Sequence, residues 1–138
     1  MVIFTPHCLK NDAMPKILVV DDDKDLLDIL QSLLSKKGFV VETDSNWENA
    51  NNKIDIFHPQ IILLDVFLSG VDGLEICKQL KSQPSTRDIP ILIFSAYPRV
   101  AEKVIYEYGA DDFIAKPFEV NDLINKVHAV LSQTVYSY

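Results

Sequence analysis

Residues 16–30 read KILVVDDDKDLLDIL, and the fold turns on how this stretch is divided. Ile17 to Val20 form an unbroken apolar run, the pattern of a strand buried on both faces. Three aspartates follow at once, Asp21, Asp22 and Asp23. From Lys24 to Lys37, Leu26, Leu27, Leu30, Leu33 and Leu34 recur at helical spacing, and Gly38 suits the C-terminal cap. A buried strand thus meets a helix at a knot of like charge. Crowded carboxylates repel one another, and burial favours their neutral form. A cation is the simplest group to offset that repulsion.

The same strand-then-helix alternation continues to the end of the chain. Strand-like runs follow at Phe39–Val41, Ile61–Leu64, Ile91–Phe94 and Asp112–Ala115. Helix-like patterns lie between and after them, at about Asn46 to Phe57, Leu74 to Ser82, Arg99 to Tyr108 and Val120 to Ser132. Gly109 ends the fourth helix, and Leu123, Ile124, Val127, Val130 and Leu131 form the buried stripe of the last. Alternation of this kind implies right-handed crossovers and a parallel sheet covered on both faces. Ligands of such sheets bind beyond the strand C-termini, near the switch in strand order. Four of the five strands end in a polar group with chemistry to offer: Asp21 and Asp22, then Asp65, Ser95 and Lys116. The second strand runs into VETDSN, less specific and expected toward the sheet edge.

Chemistry suggests the roles. Three carboxylates make a hard-oxygen pocket for a divalent cation such as Mg²⁺, with Mn²⁺ as an alternative. A carboxylate beside the metal can attack phosphorus and form an acyl phosphate. A lysine and a hydroxyl can then hold the transferring phosphoryl group.

Composition bounds the alternatives. At 138 residues the chain suits one domain, and its net charge of −7 argues against direct nucleic-acid binding, which needs clustered Lys and Arg. No apolar run approaches the length of a membrane span, and residues 1–14 do not read as a signal peptide. Two cysteines, Cys8 and Cys77, make no disulfide framework, and Cys77 reads as a small core side chain. A cytoplasmic location is expected, with no membrane contact.

These residues resemble the receiver domain of two-component response regulators (CheY-like). The resemblance rests on VVDDD after the first strand, LLD after the third with DG seven residues on, FSA after the fourth, and GADDFIAKPF at the fifth. It covers about Lys16 to Leu131. It implies a flavodoxin-like (βα)5 doubly wound five-stranded parallel sheet of order 2-1-3-4-5. It also implies that Asp65 is the phosphoacceptor, that Asp21, Asp22, Asp65 and the backbone carbonyl of Phe67 hold Mg²⁺, and that Ser95 and Lys116 bind the phosphoryl group. Phe113 takes the aromatic switch position, and Pro117 is expected in the cis form. Phe67 and Tyr97 occupy positions flanking the site, where bulky aromatics are expected to hinder water and prolong the phosphorylated state. Where the family often has Pro, this chain has Ser69 followed by Gly70, which suggests a more flexible loop.

The expected partners are a sensor histidine kinase or phosphotransfer protein and a downstream protein target, with homodimerisation on phosphorylation a further expectation. The expected layout is an N-terminal extension (1–14), a receiver domain (15–132) and a C-terminal tail (133–138). Whether the chain stands alone or belongs to a longer regulator or hybrid kinase is open. The other functions considered are a phosphohydrolase using Asp21-x-Asp23, a flavin-binding carrier and a receiver-like interaction domain that is not phosphorylated. The first lacks its next motif residue and the second its Ser/Thr/Gly-rich phosphate loop. Several residues take plainer readings. Asp23 suits a helix N-cap, Asp72 opens the third helix, and Asp111 and Asp112 form a turn and strand entry. His7, His58 and His128 are scattered, and Trp47 is partial core or surface.

Overall fold

The computed structural model describes residues 14–97 and 101–136. β1 (Lys16–Val20), β2 (Val40–Asp44), β3 (Ile61–Asp65), β6 (Ile91–Ser95) and β7 (Asp112–Ala115) form one parallel sheet in the order β2-β1-β3-β6-β7. β4 (Phe67–Leu68) and β5 (Val71–Asp72) pair separately as a short antiparallel hairpin. With the hairpin set aside, this is the expected 2-1-3-4-5 order of the flavodoxin-like fold. The helices are α1 (Lys24–Lys36), α2 (Trp47–Phe57), α3 (Gly73–Ser82), α4 (Ala101–Tyr106) and α5 (Val120–Tyr136).

The core explains the continuous apolar strands. Ile17 and Val19 pack with Leu27, Leu30 and Leu34 of α1 and Leu123, Val127 and Val130 of α5. Their neighbours Leu18 and Val20 face the other way, against Ala50 and Ile54 of α2, Cys77 and Leu80 of α3 and Val104 of α4. Alternate residues of one strand therefore serve two cores, and no position is left for a polar side chain until the strand ends. Polar caps start the helices. The carboxylate of Asp23 accepts from the Leu26 N–H and that of Asp72 from the Leu74 N–H, so both plainer readings hold. Gly38 and Gly109, with φ of 97° and 81°, turn the chain after α1 and α4 in a region that favours glycine.

The structure corrects several boundaries. β2 covers Val40–Asp44 and not Phe39–Val41. Its ladder with β1 runs from Lys16↔Val40 to Val20↔Asp44, so backbone pairing carries Glu42, Thr43 and Asp44 into the strand whatever their polarity. Phe39 precedes the strand, buried, with its ring 5.4 Å from that of His128. As the edge strand, β2 points the carbonyls of Val41 and Thr43 outward. Gln31 Nε2 of α1 and Lys53 Nζ of α2 donate to them at 3.2 and 2.9 Å, closing that edge from both faces. α5 runs to Tyr136, past the expected limit at residue 132 and into the segment read as a tail. The start of the fourth helix at Arg99, most of the 1–14 extension, His7 and Cys8 lie outside the described residues. Among the described residues no helix is long and apolar enough to cross a membrane.

Candidate functional site

The parallel sheet aligns its strand C-termini on one rim, and the polar strand ends meet there. Asp21 and Asp22 leave β1, Asp65 ends β3, Ser95 ends β6 and Lys116 follows β7. Carboxylate oxygens of Asp21, Asp22 and Asp65 all lie within 4.8 Å of one another. Asp21 is 0% and Asp65 6% exposed, while Asp22 faces solvent.

Asp21 is held on both oxygens. Lys116 Nζ lies 2.6 Å from its Oδ2, and the Asp23 N–H donates to Oδ1 at 2.9 Å. The same ammonium is 3.6 Å from Asp65 Oδ1 and 4.9 Å from the centre of the Phe94 ring. Lys116 is thus shared between two carboxylates, leaning on Asp21. The pKa of Asp65 stands raised from 3.8 to about 6, chiefly by burial and then by the neighbouring Asp21 charge. Lys116 and the Phe67 backbone N–H pull it down without cancelling the effect, and Asp22 raises it further. At neutral pH Asp65 is therefore ionised inside a like-charged pocket, an arrangement that a cation would relieve.

The residues present fit a magnesium ion. The donors are hard carboxylate oxygens, and octahedral coordination at about 2.1 Å sets ligand oxygens roughly 3–4 Å apart. The ligand oxygens here lie within 4.8 Å of one another, close to that spacing, with Asp22 on the solvent side.

The rest of the rim is equally specific. The fully buried Ser95 hydroxyl accepts from the Tyr97 N–H at 3.1 Å. The Phe67 and Tyr97 rings meet edge to face, centres 5.0 Å apart, and are 59% and 56% exposed. Phe113 is half-buried against the core beneath α2, α3 and α4. The Lys116–Pro117 peptide bond is cis.

Reading the sequence alone missed two contributors. Ser69 was seen only as a departure in a loosened loop. It sits at the hairpin tip and its Oγ donates to Asp22 Oδ2 at 3.0 Å. Gly73 lies so near the end of β3 that an added Cβ would stand 2.1 Å from the Asp65 carbonyl oxygen. The DG pair seven residues after Asp65 was its only trace. At the other end of the sheet, away from the site, Asp111 leads into β7 and accepts from the Ile91 N–H and from Lys81 Nζ, both at 2.8 Å. No local pattern announces that contact.

The model of the response regulator receiver domain matches residues 17–128. The chain belongs to this family. Receiver domains are signalling modules of two-component systems, and the relatives fit that description. The chain is 40% identical over 120 residues to the alkaline phosphatase synthesis transcriptional regulatory protein PhoP of Bacillus subtilis, covering 86% of this chain and 49% of that one. It is 33% identical over 122 residues to the DNA-binding dual master transcriptional regulator RpaA of Synechocystis, covering 88% and 51%. The chain thus spans about half the length of the curated relatives it matches. The DNA binding in the name of RpaA belongs to a protein about twice as long, and the expectation of no direct nucleic-acid contact concerns this receiver only. Among solved structures, a response regulator from Chloroflexus aurantiacus matches at 34% identity and a TM-score of 0.78, covering 86% of this chain and 98% of that one. The receiver domain of a signal transduction histidine kinase from Syntrophus aciditrophicus matches at 31% and 0.79, covering 90% and 95%. Receivers similar to this one therefore occur both in regulators and in kinases.

Proposed function

We propose that this receiver accepts a phosphoryl group on Asp65 from a phosphohistidine of a sensor histidine kinase or phosphotransfer protein. The observation that carries the reading is Asp65 itself: buried, grouped with two further carboxylates and reached by Lys116. In the transfer, an Asp65 carboxylate oxygen forms a bond to phosphorus as the P–N bond breaks. The leaving nitrogen keeps the electron pair, and the ring departs as neutral imidazole when its other nitrogen carries a proton in the phosphohistidine. Asp21, Asp22, Asp65 and the Phe67 carbonyl would hold Mg²⁺ or Mn²⁺, which neutralises charge on the phosphoryl oxygens when bound. Lys116 supplies a second positive group by a short swing from Asp21. The Ser95 hydroxyl, an acceptor from the Tyr97 N–H, moves to donate its own proton to a phosphoryl oxygen, and Phe113 turns inward into the space that opens. The face formed by α4, β7 and α5 reports the change to a downstream protein or a second copy of the chain. The domain turns over no substrate beyond its own phosphorylation and dephosphorylation. The cytoplasm is the proposed location.

Intact mass after incubation with acetyl phosphate and Mg²⁺ tests the proposal. Wild type is expected to gain one phosphoryl group, and Asp65→Asn, or wild type with chelator, none. No gain where Mg²⁺ binding is demonstrated would favour a receiver-like interaction domain that is not phosphorylated. The aromatic pair gives a second expectation. Phe67 and Tyr97 shield the in-line approach of water, so Phe67→Asn/Tyr97→Glu should shorten the phosphoryl lifetime by about tenfold, the effect of roughly 1.4 kcal/mol on the barrier. Loss of phosphate followed by mass over time measures it, and an unchanged lifetime removes the shielding role.

A further inference from the structure

The hairpin of β4 and β5 is a support whose purpose is not explained by the fold. Phe67 pairs with Asp72 and Leu68 with Val71, and Leu68 is buried. Asp72 caps α3, and the Gly73 N–H donates to the Val66 carbonyl at 2.7 Å. Both arms of the hairpin are thus tied to the domain, and Gly70, with a φ of 73°, makes the turn. At the tip this framework presents one polar side chain, Ser69, whose hydroxyl reaches across to Asp22 Oδ2 on the loop after β1.

Asp22 is the one carboxylate of the three that faces solvent, and so the one whose orientation burial does not settle. A hydroxyl on Oδ2 settles it. One lone pair of Oδ2 is engaged by the hydroxyl, which makes Oδ1 the better donor to a cation. This matters for which cation is taken. Mg²⁺ demands six ligands at about 2.1 Å and accepts carboxylates through one oxygen, whereas Ca²⁺ takes six to eight at longer distances and often both oxygens of one carboxylate. We infer that Ser69 is a positioning residue that holds Asp22 monodentate and so tilts the acidic pocket toward Mg²⁺ and against Ca²⁺. The inference rests on the proposed reading of that pocket as a cation site.

Calorimetric titration of the metal-free chain with MgCl₂ and with CaCl₂ tests it, on wild type, Ser69→Ala and Ser69→Thr. Ser69→Ala is expected to weaken Mg²⁺ binding about tenfold, the low end for loss of a partner that orients a metal ligand. Ca²⁺ binding should stay within about twofold of wild type, because the freed oxygen becomes available to the larger ion. Ser69→Thr keeps the hydroxyl and should restore the wild-type Mg²⁺/Ca²⁺ ratio. An equal loss for both ions in Ser69→Ala would mean general loosening of the hairpin, and it overturns the inference, as does an unchanged ratio. Either result, with Mg²⁺ bound by wild type, leaves the phosphoacceptor proposal standing. Absence of Mg²⁺ binding by wild type overturns both.

Discussion

Asp65→Asn should make the metal-free protein more stable at pH 7.5, by about 2–3 kcal/mol. The pKa of Asp65 rises from 3.8 to about 6 on folding, chiefly through burial and then through the Asp21 charge. A raised folded-state pKa means that the native state binds the proton more tightly than the unfolded chain does. The stability this contributes is fully present below about pH 3.8 and is lost as pH rises through about 6. A shift of roughly two units corresponds to about 3 kcal/mol. The neutral asparagine escapes the penalty. Urea unfolding in the presence of chelator, wild type against Asp65→Asn at each pH, isolates this residue from the other carboxylates. The gap should be widest above pH 7 and close toward pH 4. Added Mg²⁺ should narrow it at pH 7.5 by stabilising only the wild type. A variant no more stable than wild type at pH 7.5 would show that the pocket does not strain its carboxylate. The result would also place Asp65 among residues kept for function at a cost in stability.

The second large effect is expected at Gly73. An added Cβ would lie 2.1 Å from the Asp65 carbonyl oxygen, 2.9 Å from the Val66 Cα and 3.0 Å from the Asp65 carbonyl carbon. All three are backbone atoms, so no side chain can rotate away. The Gly73 N–H also donates to the Val66 carbonyl, which fixes the approach. Gly73→Ala must therefore push the start of α3 off the end of β3. A loss of about 2–4 kcal/mol is expected, in the range of severe overpacking. Phosphorylation should fall with it, because Asp65 belongs to the displaced backbone. Gly70→Ala is the control. Nothing lies within 4 Å of its Cβ position, and only its positive φ is strained, worth about 1–2 kcal/mol. Urea midpoints of the two variants decide the matter: a Gly73→Ala loss no larger than that of Gly70→Ala would rule out the close approach.

Some of this was legible in the residues because local chemistry recorded it. β3 and β6 carry apolar residues at every position before their last, and β1 at every position after Lys16, and that pattern is what burial on two faces demands. The helix starts at Asp23 and Asp72 were readable because an N-cap acts within three residues of itself. The polar strand ends were readable because an aspartate, serine or lysine closing an apolar run has no structural need to be there. The boundary of β2 was not, since its polar half is held by pairing with β1 rather than by burial. The contact of Ser69 was missed for a related reason. Proline and serine were compared as loop residues, whereas the hydroxyl acts on a carboxylate from another loop.

By itself, then, the sequence determined the alternation of elements, the two-sided sheet and the kind of chemistry at each strand end. Those properties depend on residue type and on spacing along the chain, and both are written in one dimension. Only the tertiary structure decided that Lys116 leans on Asp21 while reaching Asp65, that Gly73 must lack a side chain, and that Ser69 meets Asp22. Each is a contact of a few ångströms between segments joined by no short stretch of chain or periodic pattern. Such contacts are set by how the crossovers bring the strand ends onto one rim, and no local stretch of residues carries that information.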